Sequence, residues 1–133
     1  MDARRVTIDL ITDSPDGSTV YLTLVEQGPW PARGVAKRLR ALQERAFAAI
    51  DTAVDGHLAA RYPDSVGKQV VVRVRAFNLP EREVRELSSR ISNYIASSDP
   101  YRSDIARSAF VASVSFEVCF EPIGSVPRAR TEN

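Results

Sequence analysis

One long amphipathic segment, residues 32–62, limits how this chain can fold. Its apolar side chains recur at three- and four-residue steps, as on one face of a helix: Val35, Leu39, Leu42, Ala46, Ile50, Ala53, Val54 and Leu58. An uninterrupted helix of this length would extend roughly 45 Å, whereas a strand of about eight residues spans only about 27 Å. We therefore expect the helix to break at Asp55-Gly56, because glycine tolerates the left-handed conformation that ends helices.

The composition is that of an ordinary globular domain, and it argues against several function classes. Of 133 residues, 44% are hydrophobic and 26% are charged, which is enough to bury a core without disulfides or metal. The net charge of +1 provides no global attraction to nucleic acid or membranes. One cysteine and one histidine do not supply the usual zinc ligand sets, and we expect no cofactor. Since no apolar run is long enough to span a bilayer, we predict a soluble protein of a reducing cytoplasm.

Four segments show the period-two alternation that is typical of half-buried strands. The first two, residues 6–10 and 20–25, flank turn-forming residues 14–17 and are predicted to form a hairpin. The others are residues 70–77 and 110–120. Pro122 would end the last strand, and residues 122–133 lack apolar periodicity, which predicts a disordered tail.

A second helical stripe is formed by Val84, Leu87, Ile91 and Ile95, with Pro80 favourable at its first turn. Residues 98–107 are polar and contain an Asp-Pro pair, which favours an exposed loop. The predicted order is therefore ββαβαβ. We expect a single α+β domain, residues 1–121, built as a two-layer sandwich with two helices on one face of a four-stranded mixed sheet. We expect the last strand to lie centrally, beside the first.

An ordered set of short motifs gives the chain a resemblance to a known family. The motifs comprise residues 20–26, 29–30, 42–45, 55–58, 62–63, 67–68 and 116–118. With these, the chain resembles an uncharacterised bacterial family of small cytoplasmic α+β domains, described as a domain of unknown function. The resemblance implies a fold and a bacterial cytoplasmic setting, and it implies no activity. The chain departs from the family pattern at Phe47 and Ala49, where an Asn and a Tyr commonly appear, and its loop before the last strand is longer.

The residues that carry chemistry do not form a catalytic constellation. His57 has acidic neighbours in the sequence, but no nucleophile or second ligand lies at a spacing that would pair with it, so we expect a surface histidine. Cys119 lies between Glu117 and Glu121, whose charges would raise the pKa of the thiol, so we expect an inert cysteine. We therefore predict that the protein is not an enzyme.

The favoured hypothesis is a non-enzymatic protein-interaction or structural domain that self-associates. If both helices cover one sheet face, the other face remains too apolar for water. The predicted homodimer interface comprises Tyr21, Val71, Arg73, Arg75, Phe77 and Glu117. We also assign Ile11 and Asp9 to this face, where opposite charges could pair across a two-fold axis. A competing interpretation is that the arginine stems cover the face and keep the protein monomeric.

Two further hypotheses belong to other classes. The first is a small-molecule-binding or enzymatic domain that uses a cleft beside Trp30, although a buried tryptophan packing over the helix start is favoured there. The second is a nucleic-acid-binding accessory protein in which Arg33, Lys37 and Arg38 contact an anion at the start of the long helix. Nucleic acid is disfavoured as a partner, because a recognised binding motif and aromatic stacking residues are missing. An unidentified protein partner also fits the favoured hypothesis.

Overall fold

The computed structural model describes residues 8–122. Within them the elements are β1 (Leu10–Asp13), β2 (Thr19–Gln27), α1 (Val35–Val54), α2 (His57–Arg61), β3 (Lys68–Phe77), α3 (Glu81–Ser97), α4 (Asp99–Arg107) and β4 (Val111–Glu121). Short 3-10 turns, Ala32–Gly34 and Pro63–Ser65, precede α1 and β3. The predicted beginning of the first strand at Val6 lies outside the described residues, as does the predicted tail beyond Pro122.

The four strands form one mixed sheet in the order β1-β2-β3-β4. β1 and β2 are antiparallel, while β2, β3 and β4 are mutually parallel neighbours joined by helical crossovers. The predicted four-stranded mixed sheet and the α+β class are confirmed. The predicted central position of the last strand is wrong: β4 lies at an edge, because each helical crossover places the next strand one position further from β1.

One face of the sheet is buried beneath α1 and α3. Alternate residues of β2 and β3 are at most 2% exposed on that face: Val20, Leu22, Leu24, Val70, Val72, Val74 and Ala76. All of these except Ala76 pack in one cluster with the apolar stripes of the helices, including Ile50 from α1 and Leu87 from α3. α1 contacts β3 and β4, whereas α3 packs mainly on β4. No helix in the described part of the chain is both long and apolar enough to cross a membrane.

The long amphipathic segment breaks at the predicted position. α1 ends at Val54, Asp55 forms its C-cap, and Gly56 has a φ of +97°. α2 then continues for five residues. The predicted helix break is confirmed, and it follows from the left-handed backbone that glycine adopts without a steric penalty.

The predicted loop over residues 98–107 is wrong, since most of that segment forms α4. Pro100 lies in the first turn, where its missing N–H is not needed, and Asp99 lies at the positive end of the helix dipole. Tyr101 and Ile105, one turn apart, pack against the core. The Tyr101 hydroxyl also donates a hydrogen bond of 2.7 Å to Asp51 of α1. These tertiary contacts stabilise a helix whose apolar stripe is short.

The assignment of Ile11 and Asp9 to the uncovered sheet face is also wrong. Ile11 pairs in register with Leu22 and packs against the core, because the chain before β1 is irregular and shifts the alternation. Asp9 lies on the helical side, where Arg45 of α1 donates to it over 2.9 Å and to Glu26 over 2.7 Å. Arg45 therefore joins α1 to the β1–β2 hairpin.

The turn between β1 and β2 is organised by one carboxylate. An oxygen of Asp16 accepts hydrogen bonds from the Ser14 hydroxyl (2.7 Å), the Ser18 hydroxyl (2.8 Å) and the Ser18 amide (3.0 Å). The Ser18 amide, followed by the two hydroxyls, lowers the pKa of Asp16 from 3.8 to about 2. The ionised carboxylate therefore stabilises the folded turn.

We expect Gly56→Ala to lower the free energy of unfolding by about 1 kcal/mol or more, because a Cβ is penalised at positive φ. The new Cβ would also lie 2.9 Å from ring atoms of Phe110. The matched control is Gly67→Ala, which has a φ of +82° and no atom within 4 Å of the new Cβ. Denaturant unfolding should show a larger loss at Gly56, and Phe110→Ala should reduce the difference. Equal losses at both glycines would show that the Phe110 contact has no effect.

Asp16→Ala should lower the melting temperature at neutral pH. Since the folded pKa is depressed, this stabilisation is fully present above 3.8 and is lost as the pH falls toward about 2. The difference between wild type and variant should therefore shrink across that interval. The control is Asp64→Ala, which removes an exposed carboxylate without a hydrogen bond in the described part of the chain. If the difference in melting temperature between wild type and Asp16→Ala persists unchanged as the pH falls toward about 2, the stabilising role of the ionised Asp16 carboxylate is contradicted.

Candidate functional site

The sheet face that no described helix covers, called the uncovered face, brings together the six residues of the predicted interface. Tyr21 and Val71 are in register on β2 and β3, and Arg73 is in register with Glu117 on β4. The Arg73 guanidinium lies 4.0 Å from the centre of the Tyr21 ring and donates through Nε to Glu117. Arg75 and Phe77 continue the same row on β3. Alternation along the strands therefore places all six side chains on one face, and their role as an interface stays a prediction.

The two arginines already cover much of this face. Besides stacking on Tyr21, Arg73 keeps 31% of its side chain exposed, and Arg75 keeps 34%. Arg75 donates to Glu121 over 3.0 Å and lies 5.3 Å from the centre of the Phe77 ring. Phe77 is 3% exposed. The surface is therefore amphipathic, with paired charges above the partly exposed Tyr21 ring and the buried Phe77 ring.

Burial and a neighbouring carboxylate disfavour the reactive form of the Cys119 thiol on this face. Burial, and then the charge of Glu117, raise the pKa of Cys119, so the nucleophilic thiolate is disfavoured. The predicted direction of this shift is confirmed. Burial acts to lower the pKa of Arg73, but the hydrogen bond and charge of Glu117 outweigh it and raise that pKa. The guanidinium therefore stays charged.

The other predicted positions lie elsewhere. Arg33 lies in the turn before α1, and Lys37 and Arg38 lie in the first turns of α1, where all three are exposed. Trp30 is 8% exposed and packs in the core, and its indole N–H has no hydrogen-bond partner among residues 8–122. His57 is a surface residue, with its ring 3.0 Å from the Asp55 carboxylate and 79% of its side chain exposed. Among the described residues, no group of three or more His, Cys, Asp or Glu side chains could hold a metal ion.

An open cavity of about 650 Å³, which was not predicted from the sequence, lies between α1, α3 and α4. Three aromatic rings form its centre, namely Phe47, Tyr94 and Tyr101, with ring centres 5.5–5.6 Å apart. Tyr94 meets both other rings edge to face, an arrangement that aromatic pairs favour. Phe47 and Tyr94 lie on the two helices that the sequence predicts, and these two aromatic residues were a usable signal of the cavity. The cavity remained hidden because its third wall is the helix that we predicted as a loop.

A hydrogen bond joins α4, the third wall of the cavity, to α1. Tyr101 donates to Asp51, and burial, followed by this bond and the nearby charges of Asp51 and Asp104, raises the pKa of Tyr101. The phenol therefore stays protonated and remains a donor. Other polar groups at the cavity are Gln43 on α1 and Arg90 on α3.

A second groove, of about 400 Å³, runs beside the first half of β4. Its walls include Ile95 of α3 and Ile105 of α4, and its base includes five consecutive residues, 112–116, of the edge strand. Ala112, Ser113 and Ser115 are exposed there. Small side chains thus border β4, which is an edge strand within the described residues.

The bond between Tyr101 and Asp51 can be measured with a double-mutant cycle of Tyr101→Phe and Asp51→Ala. Since one partner is exposed, we expect a coupling energy of about 0.5–1 kcal/mol in denaturant unfolding. The matched control replaces Tyr101→Phe with Tyr94→Phe, because the Tyr94 hydroxyl makes no hydrogen bond to a described residue. Coupling in the control cycle, or none in the Tyr101 cycle, would contradict this role.

Comparison with known proteins identifies no relatives of this chain: no protein-family model, no curated protein and no solved structure matches it.

Proposed function

We propose that the protein is a non-enzymatic interaction domain that self-associates through the uncovered face of its sheet. The observation that carries this proposal is the charge pattern of that face. Arg73 and Arg75 form a basic row on β3, and Glu117 and Glu121 form a parallel acidic row on the adjacent edge strand. Tyr21 and Val71 lie beside the basic row and are partly exposed. Such a surface offers apolar contact together with charges of both signs.

A second copy of the chain is the partner that this pattern fits. Across a two-fold axis the basic row of one copy can face the acidic row of the other, so that one patch is complementary to itself. The arginines can exchange or share their glutamates without burying an unpaired charge, which would be costly. Tyrosine and arginine are also the residue types enriched at the centres of interfaces.

The proposal includes the bacterial cytoplasmic setting that the family resemblance implies. The single cysteine supports it, since neither its environment nor its number suits a disulfide framework. The non-enzymatic part is supported by the raised pKa of Cys119 and the surface position of His57. Within the described residues, the His57 ring pairs with the Asp55 carboxylate and not with a nucleophile.

The test is the molar mass in solution, measured by light scattering at micromolar protein. Wild type should have the mass of a dimer. Val71→Asp, on the uncovered face, should raise the dissociation constant about tenfold or more while the circular dichroism spectrum stays native. The control is Ala41→Asp, which adds the same charge on the exposed surface of α1 and should leave the mass unchanged. Phe77 is unsuitable for this purpose, because it is buried within the monomer.

Charge reversal tests the two-fold arrangement directly. Arg73→Glu with Arg75→Glu makes the face acidic, and Glu117→Arg with Glu121→Arg makes it basic. Each double variant should be monomeric, and an equimolar mixture should form a heterodimer. A monomeric wild type at all concentrations, or a dimer that Val71→Asp leaves intact, would overturn the proposal.

A further inference from the structure

The cavity between α1, α3 and α4 has features of a binding site that lies apart from the uncovered sheet face. Its volume of about 650 Å³ falls within the usual range for small-molecule sites, roughly 300–1,000 Å³. Ile91, which is 1% exposed, forms part of its floor. Tyr94, which is 49% exposed, presents an aromatic surface to a bound molecule. An apolar base with a few polar groups around it is the usual composition of such sites.

The polar groups of the cavity are separated by charge. On α1, Gln43, Phe47 and Asp51 lie at successive four-residue steps, so they share one face and span roughly 12 Å. α3 runs in the same direction as α1, because both connect parallel neighbouring strands. The contact between Phe47 and Tyr94 therefore places Arg90, one turn before Tyr94, at the end where Gln43 lies.

The opposite end of the cavity is acidic. Asp51 accepts the hydrogen bond of Tyr101, and Asp104 lies close enough to help raise the pKa of that phenol. Neither carboxylate forms an ion pair with a described residue. Arg90 at the other end likewise has no ion pair within the described residues. The cavity therefore has a positive end and a negative end with aromatic rings between them.

From this arrangement we propose that the cavity binds a small zwitterion of the short-peptide class, two to four residues long. The ammonium group of the ligand lies between Asp51 and Asp104 and against the aromatic rings, which attract cations. The carboxylate of the ligand lies at Arg90 and Gln43, where a guanidinium can donate two hydrogen bonds. An extended tripeptide spans about 10 Å, which is close to the roughly 12 Å that separate Gln43 and Asp51 along α1.

Other ligand classes use fewer of these groups. A simple anion would meet the two carboxylates at one end, and a simple cation would meet Arg90 at the other. A neutral apolar molecule would bury charged groups without pairing them, which disfavours binding. A zwitterion can pair with the charged groups at both ends of the cavity at once.

The test is isothermal titration of the full chain with glycyl-phenylalanyl-glycine and two blocked forms, one N-acetylated and one C-amidated. The free tripeptide should bind. Each blocked form should have an affinity at least about tenfold lower, because each loses one charged contact. Failure of the free tripeptide to bind at millimolar concentration overturns the proposal. Equal binding of the C-amidated form also overturns it, because the site would then select a simple cation.

Two variants test which end of the cavity binds the ammonium group of the ligand and which end binds its carboxylate. Asp104→Asn should weaken binding of the free tripeptide about tenfold and leave the affinity for the N-acetylated form nearly unchanged. Arg90→Gln should weaken binding of the free tripeptide and leave the affinity for the C-amidated form nearly unchanged. The matched control is Glu86→Gln, an exposed residue of α3 outside the cavity, which should change neither affinity. Binding of the free tripeptide that both cavity variants leave intact would show that it occurs elsewhere and would overturn the proposal.

Discussion

The structure depends on the burial of one sheet face beneath two helices. The central strands present valine and leucine rows that are almost fully buried, and each such side chain contributes about 1.5–3 kcal/mol when it leaves water. The residues of α1 that meet this surface include Ala46, Ala49 and Ala53, none more than 1% exposed. Small side chains let the helix axis approach the sheet closely. This close approach also fixes the direction in which Phe47 and Asp51 project, and it thereby fixes one wall of the cavity.

Two positions of α1 show how this packing is achieved. A tyrosine at position 49 would have to fit where Ala49 is fully buried, so the helix could not lie as close to the sheet. Phe47, two positions earlier, supplies the ring that contacts Tyr94 and Tyr101. The layer between α1 and its neighbours is therefore apolar and aromatic at these positions.

The sequence was sufficient to assign residues to a face of the sheet wherever the periodic pattern was long. The alternation in β2, β3 and β4 identified which residues share the uncovered face, and the Gly56 break followed from backbone sterics. Strand order depends on contacts between residues far apart in the chain, which no local pattern encodes. Ile11 packs against the core and not on the uncovered face, because an irregular segment precedes a strand of only four residues. α4 was missed because much of its stability comes from packing of Tyr101 and Ile105, and the cavity was missed with it.

The strand order has a consequence for how the chain folds. Val20 pairs with Val70, fifty positions later, and Val70 pairs with Val114, a further forty-four positions along. Both parallel ladders therefore require a long loop to close before any of their hydrogen bonds form, and such non-local topologies fold more slowly than helical bundles. The local β1–β2 hairpin can pair first, but β1 has only four residues. The slow part of folding is therefore the formation of the two parallel ladders on either side of β3.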